Sequence, residues 1–143
     1  ARNVKVKFYL VIFLITNFSI QNAFSAQDKI LVMSTPESDL YILNKTIKKI
    51  SPNIRQYWEY EIFKEDIEID GSILYSQNEY TKALRKINCK EDTTIIIDIV
   101  TYNENGTFKR KSTNPEPATT KWDAVVPGSI GSKTQSYICS KQL

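Results

Sequence analysis

The sequence predicts an α+β domain: an antiparallel β-sheet of about six strands packed against one C-terminal α-helix and stapled by a single disulfide. Three observations carry that prediction. Two long stretches, "NIRQYWEYEIF" and "TTIIIDIVTYN", are rich in β-branched and aromatic residues. Turn residues punctuate the chain at short intervals until Pro127-Gly128-Ser129, after which the apolar spacing turns helical. The chain has two cysteines, Cys89 and Cys139, and no histidine.

The first 25 residues read as a signal peptide rather than as part of the fold. Arg2, Lys5 and Lys7 form a positive start, Phe8 to Ile15 is an apolar run too short to span a membrane, and Ala23, Ser25 and Ala26 are small. Ala23 and Ser25 suit a cut after Ser25. A cut after Ala26 is the alternative, with bulky Phe24 at its outer specificity position. Residues 26–143 then form a single exported domain of about 118 residues, enough for one modest core. No cysteine precedes Cys89, so the expected product is not a lipoprotein, carries no acylation site and makes no stable membrane insertion. Three of the 19 basic residues and none of the 16 acidic ones lie in the leader, leaving 16 of each sign. A balanced chain lacks the basic excess that nucleic-acid binding needs, so no nucleic-acid partner is expected.

Ile30 to Met33 is the first strand, and Pro36 to Asp39 a turn. Leu40 to Leu43 is the second strand, broken at Asn44-Lys45; Ile47 and Ile50 fit a strand or one helical turn. In "NIRQYWEYEIF" the even positions, Ile54, Gln56, Trp58, Tyr60 and Ile62, are mostly apolar. The odd ones, Arg55, Tyr57, Glu59, Glu61 and Phe63, are mostly charged, the period of a half-buried strand. "TKALRKINCK" fits a helix through Leu84 and Ile87, or a strand with Ala83, Arg85, Ile87 and Cys89 on one face. "TTIIIDIVTYN" is the clearest strand, and Asn105-Gly106 turns it into a hairpin with "TFKRKS". Pro115 and Pro117 mark a loop. Trp122 is expected to put its ring in the core, Ser129 to cap the last helix, and Ile130, Tyr137 and Ile138 to cover the sheet.

In an oxidising compartment an isolated cysteine pair forms a disulfide, which would tie Cys139 in the helix to Cys89 on a strand. A zinc site needs two more ligands and a C-x-x-C or histidine pattern that the chain lacks, so neither metal nor cofactor is expected. Without histidine there is no Ser-His or Cys-His pair, and the adjacent Ser132-Lys133 and Ser140-Lys141 point apart on a helix. No enzyme is expected. The carboxylates Glu59, Glu61, Glu65, Asp66, Glu68 and Asp70 match no calcium loop and read as a solvated face. Asp98 shares a strand face with Ile96 and Val100 on simple alternation, and needs a partner or water there.

Recognition is what remains. Lys82, Arg85, Lys86 and Lys90 cluster around Cys89 and are the candidate partner-binding residues, with Lys109-Arg110-Lys111 nearby in sequence. If the hairpin neighbours the cysteine strand, these merge into one basic patch opposite the acidic 59–70 segment; the competing reading is internal charge balance. Tyr57, Tyr60, Tyr75, Tyr80 and Tyr102 suit either an interface or an ordinary sheet face.

Several stretches resemble the surface-adhesin protein E family of Gram-negative bacteria: "LYILNKTIKKI", "QYWEY", "LYS", "LRKINCK", "TYNENGT" and the ending from Trp122 to Ser129 with Cys139 after it. The resemblance runs over about residues 38 to 139. It implies an antiparallel sheet joined to a C-terminal helix by a disulfide, no catalytic residues and no cofactor. It also implies, through the family's adhesins, binding to host matrix or serum proteins. The family's surface adhesin is a lipoprotein, and this chain departs from it in lacking the lipid-bearing cysteine. The expected partner is therefore a host-matrix or bacterial-envelope protein, with a homodimer also open and the location periplasmic, secreted or cell-surface. The alternatives are a periplasmic protein of another role, or an exported enzyme or inhibitor without a readable site.

Overall fold

Ten residues from Ile54 to Phe63 form the strand around which the rest assembles, β4. The computed structural model describes residues 28–115 and 120–143; the expected leader, with its cut after Ser25 or Ala26, lies outside them. On one side of β4 lie β2, Ser38–Leu43, and beyond it β1, Lys29–Ser34. On the other lie β7, Tyr80–Asn88, and then β8, Thr93–Tyr102. All the pairings are antiparallel. The sheet has eight strands where the sequence predicts about six. The surplus comes from pieces too short to carry a period: β3, Lys48–Lys49, and β10, Asp123–Ala124. They complete the edges of β4 and β8 that β2 and the hairpin strand β9, Phe108–Thr113, leave open.

The β2–β3 junction shows how that completion works. A 3₁₀ turn, Asn44–Thr46, breaks the pairing onto β4 opposite Trp58. The Thr46 hydroxyl accepts from Trp58 N–H at 2.9 Å, so the ladder donor exposed by the break stays satisfied.

The faces of β4 are the reverse of what composition suggests. Its mostly charged odd face turns towards the helix α1, Ile130–Ser140, and its apolar even face turns away. Each odd residue has a use there. Arg55 donates to the Ile138 carbonyl at 2.6 Å and to that of Lys141, satisfying groups that the helix end orphans. Tyr57 fills the core with Ile42, Ile47, Ile87 and Ile138. Glu59 is only 8% exposed and pairs with Arg85, so the solvated-face reading of the acidic run fails at its first member. Glu61 accepts from Ser38 at 2.6 Å, and Phe63 stacks on Tyr75 at 4.2 Å.

Ser129 caps α1 as expected, its hydroxyl accepting from Ser132 N–H at 3.2 Å. The helix buries Thr134 and Ile138, while Tyr137 packs at the cluster's edge and its hydroxyl donates to Asn44 at 2.7 Å. Ile130 stays 40% exposed because it sits over the lip of a cleft rather than over the core. Trp122 is half-buried just before β10 and is not among the core residues, so its expected place in the core is not observed. Only two residues of edge pairing, Asp123 and Ala124, follow it.

The disulfide is present. Cys89 and Cys139 have Cα atoms 5.8 Å apart, inside the bridging window of about 4.4–6.8 Å. Cys89 stands in the turn one residue beyond β7 rather than within the strand. "TKALRKINCK" is otherwise a strand, with Ala83 and Ile87 buried and Arg85 between them on the same face.

Part of the acidic segment forms its own two-stranded ribbon, β5, Ile67–Ile69, and β6, Ser72–Tyr75. Asp70 and Gly71 join them with φ of 53° and 75°, the two positive values a tight hairpin of this twist requires. Arg110 holds the ribbon to the sheet, donating to the Leu74 carbonyl at 2.7 Å with its guanidinium over the Tyr75 ring. Nearby, buried Glu79 receives both Lys109 Nζ and Ser76 N–H. Burial pushes its carboxyl up, but those two hydrogen bonds and the charges of Lys109 and Arg110 outweigh it and hold the group below its ordinary value. A depressed folded pKa stabilises above the unfolded value of about 4.3 and is lost as pH falls through the folded one. Glu79→Gln is therefore expected to melt lower than the native chain at pH 7, with the gap closing towards pH 3 in paired thermal melts.

Candidate functional site

Two candidate regions lie on opposite faces of the sheet, and β7 contributes to both because alternate strand residues point opposite ways. Arg85 belongs to the helix side. Its Nε donates to Glu59 Oε2 at 2.7 Å, and Tyr57 donates to Glu59 Oε1 at 3.0 Å. This triad floors a cleft of about 290 Å³ closed by Met33, Leu40, Val125 and the first turns of α1. The cleft holds an ion pair and a hydroxyl already committed to each other. Arg85→Met is expected to cost roughly 2–3 kcal/mol in urea unfolding by stranding the Glu59 carboxylate, with part recovered on adding Glu59→Gln.

Lys82 and Lys86 lie on the face away from the helix, and Lys90 is exposed in the turn after Cys89. The four residues that cluster in sequence thus do not converge. β8 also lies between β7 and β9, so the hairpin lysines do not join them. Lys109 pairs with Glu79, and Lys111 with Asp98 at 3.5 Å. Those contacts, with Arg85–Glu59 and the Arg110 carbonyl bond, follow the charge-balance reading. Asp98 itself is displaced from simple alternation. A bulge in β8 sets Asp98 opposite Leu84 but Ile96 opposite Arg85, so those two lie on different faces.

What the helix-free face does bring together is aromatic. Tyr41, Tyr60, Tyr80 and Tyr102 come from β2, β4, β7 and β8, and each is next in sequence to a buried residue of the other face: Ile42, Glu59, Thr81 and Thr101. Their rings touch in series, with centroids 6.0, 5.1 and 5.0 Å apart. Tyr41 meets Tyr60 and Tyr80 meets Tyr102 directly across the ladder. Tyr60 reaches Tyr80 diagonally, since its direct partner is Lys82. Leu31, opposite Tyr41, and Phe108, opposite Tyr102, extend the band at its two ends and are 53% and 63% exposed. The band crosses the sheet from β1 to β9.

Two lysines flank it. Lys29 Nζ sits 4.0 Å from the Tyr60 ring centroid, and Lys82 Nζ 5.6 Å from that of Tyr102. With Leu43, Tyr60 and Tyr80 they line a hollow of about 220 Å³. Burial, and then the charge of Lys82, lower the Lys29 pKa. Burial beside Tyr80 and Tyr41 raises that of Tyr60, so the ladder hydroxyl stays neutral at physiological pH.

Sequence reasoning found Tyr60, Tyr80, Tyr102 and Lys82 but missed Tyr41 and Lys29. Tyr41 carries a signal, since it alternates with apolar Leu40 and Ile42 on a short strand. Lys29 carries none until the β1–β2 register is known. Of the other tyrosines named from sequence, Tyr57 is core and Tyr75 holds the ribbon.

Among the described residues no cluster of side chains can hold a metal ion, and no helix is long and apolar enough to cross a membrane. Comparison with curated proteins and with solved structures finds no match. The sequence profile of surface-adhesin protein E does match, over residues 29–140, from the first strand to the end of the helix. Sheet, helix and disulfide all fall within that span, and the chain belongs to the surface-adhesin protein E family.

Proposed function

We propose that this chain is an exported binding module of the bacterial envelope, working as a binder rather than an enzyme, and that it meets a protein partner through the helix-free face of its sheet. The partner class is a host-matrix or envelope protein, in keeping with the family's name. The observation that carries the reading is the aromatic band. Four linked tyrosines, extended by exposed Leu31 and Phe108, form a continuous rigid surface of the composition that protein interfaces favour. A strand face with no further role would be covered or made polar.

Leu31→Glu with Phe108→Glu tests it, since both side chains are largely exposed and their replacement leaves the core intact. The expected result is an unchanged melting temperature and at least about a tenfold loss of binding to immobilised matrix or envelope proteins that capture the native chain. Full binding by the double variant would move the interface elsewhere. Fractionation adds the location: recovery from the outer membrane or the medium supports adhesion, and a purely periplasmic pool argues against it.

A further inference from the structure

Lys29 and Lys82 stand out because they line one hollow together and neither has a carboxylate within ion-pair distance among the described residues, whereas Lys45, Lys64, Arg85, Lys109 and Lys111 are each paired. They are also held close enough to repel, on the rim of a hollow walled by Tyr60, Tyr80 and Leu43. Two like charges at a half-buried site are unfavourable until an anion arrives between them. We propose that this hollow is a carboxylate pocket, which takes an Asp or Glu side chain from an acidic segment of the partner protein, with the tyrosine rings packing on the neighbouring residue of that segment. The proposal rests on the helix-free face being the binding surface.

The chemistry favours a peptide over a sulfated polysaccharide. A polyanion chain is gripped by a row of cations spaced along its length. Here Lys109 and Lys111 are already paired with acids and Arg85 faces the other side; Lys86 shares the face but does not line the hollow, whose rim carries the two lysines Lys29 and Lys82. One carboxylate fills both ammonium sites at once, and aromatic walls suit the aliphatic or ring surface beside it. The Lys29–Tyr60 contact fixes one ammonium before any ligand binds, so less side-chain freedom is lost on association.

The experiment uses the exported protein with ¹³C-labelled lysine and follows the ε-methylene signals of Lys29 and Lys82. The probes are a blocked peptide Gly-Glu-Tyr-Glu-Gly, its Gln-for-Glu analogue and a heparin-derived hexasaccharide. The acidic peptide is expected to shift both signals saturably and to raise the Lys29 pKa, while the Gln analogue does neither. Lys29→Gln and Lys82→Gln are each expected to weaken peptide binding about tenfold, with the melting temperature little changed. Shifts from the hexasaccharide alone would overturn the assignment in favour of a sulfated glycan, and equal shifts from the Glu and Gln peptides would overturn the carboxylate. The broader reading fails separately. If Leu31→Glu with Phe108→Glu abolishes partner capture but the two lysine variants retain it fully, the face stands and the pocket does not.

Discussion

Replacing Cys89 and Cys139 together by Ala lowers the melting temperature by on the order of 15 °C. The bridge closes a loop with a sequence separation of 50, and on the chain-entropy view its loss restores about 4 kcal/mol of unfolded-state freedom. For a domain of this size each kcal/mol moves the midpoint by roughly 3–5 °C. The topology adds to the effect. Cys139 lies in the only α-helix among the described residues, and the bridge packs against the cluster of Ile42, Tyr57, Ile87 and Ile138. Opening the bridge therefore frees the element that covers the core as well as the chain end. Thermal circular dichroism of the double variant, and of the native protein with and without reductant, measures it. A shift of only a few degrees in both would show that Arg55 on the helix-end carbonyls and Asn44 under Tyr137 hold the helix unaided.

The disulfide and the order of elements were legible because each rests on local or compositional information. An isolated pair of cysteines, a β-branched run such as "TTIIIDIV" and a serine after Pro-Gly need no long-range knowledge to read. Which face of β4 points inward was not legible. Composition assigns Arg55, Glu59 and Glu61 to water, but three partners distant in sequence make them interior: the helix-end carbonyls, Arg85 and Ser38. The basic cluster is divided for a related reason. Lys82, Arg85 and Lys86 are neighbours in the chain, yet a strand sends Arg85 to the face opposite the other two. The tyrosine ladder depends on register, which no single strand encodes: Tyr60 meets Tyr41 directly but Tyr80 only on the diagonal. One signal was present and unused. Asp70-Gly71 between two Ile-containing stretches is a strong hairpin dipeptide, and the segment around it is the ribbon.

Tyr57→Ala is expected to be among the most damaging single substitutions, at about 3–5 kcal/mol in urea unfolding. The ring is 1% exposed at the centre of the core cluster, so truncation leaves a cavity bounded by Ile42, Ile87 and Ile138. It also removes the hydroxyl that donates to Glu59 at 3.0 Å, leaving that buried carboxylate to Arg85 alone. Tyr57→Phe separates the two contributions. It keeps the ring and deletes the hydrogen bond, and about 1–2 kcal/mol is expected for a bond to a charged acceptor. Tyr60→Ala makes the opposing test three positions along the strand. That ring is half-buried in the ladder on the other face, so its loss is expected to cost less than half as much. The ordering Tyr57→Ala above Tyr60→Ala, with Tyr57→Phe well below Tyr57→Ala, follows only if the charged face of β4 points inward. Were Tyr60→Ala the worse of the two, the apolar face would be the core side, and the helix, the cleft and the exposed tyrosine band would all exchange places.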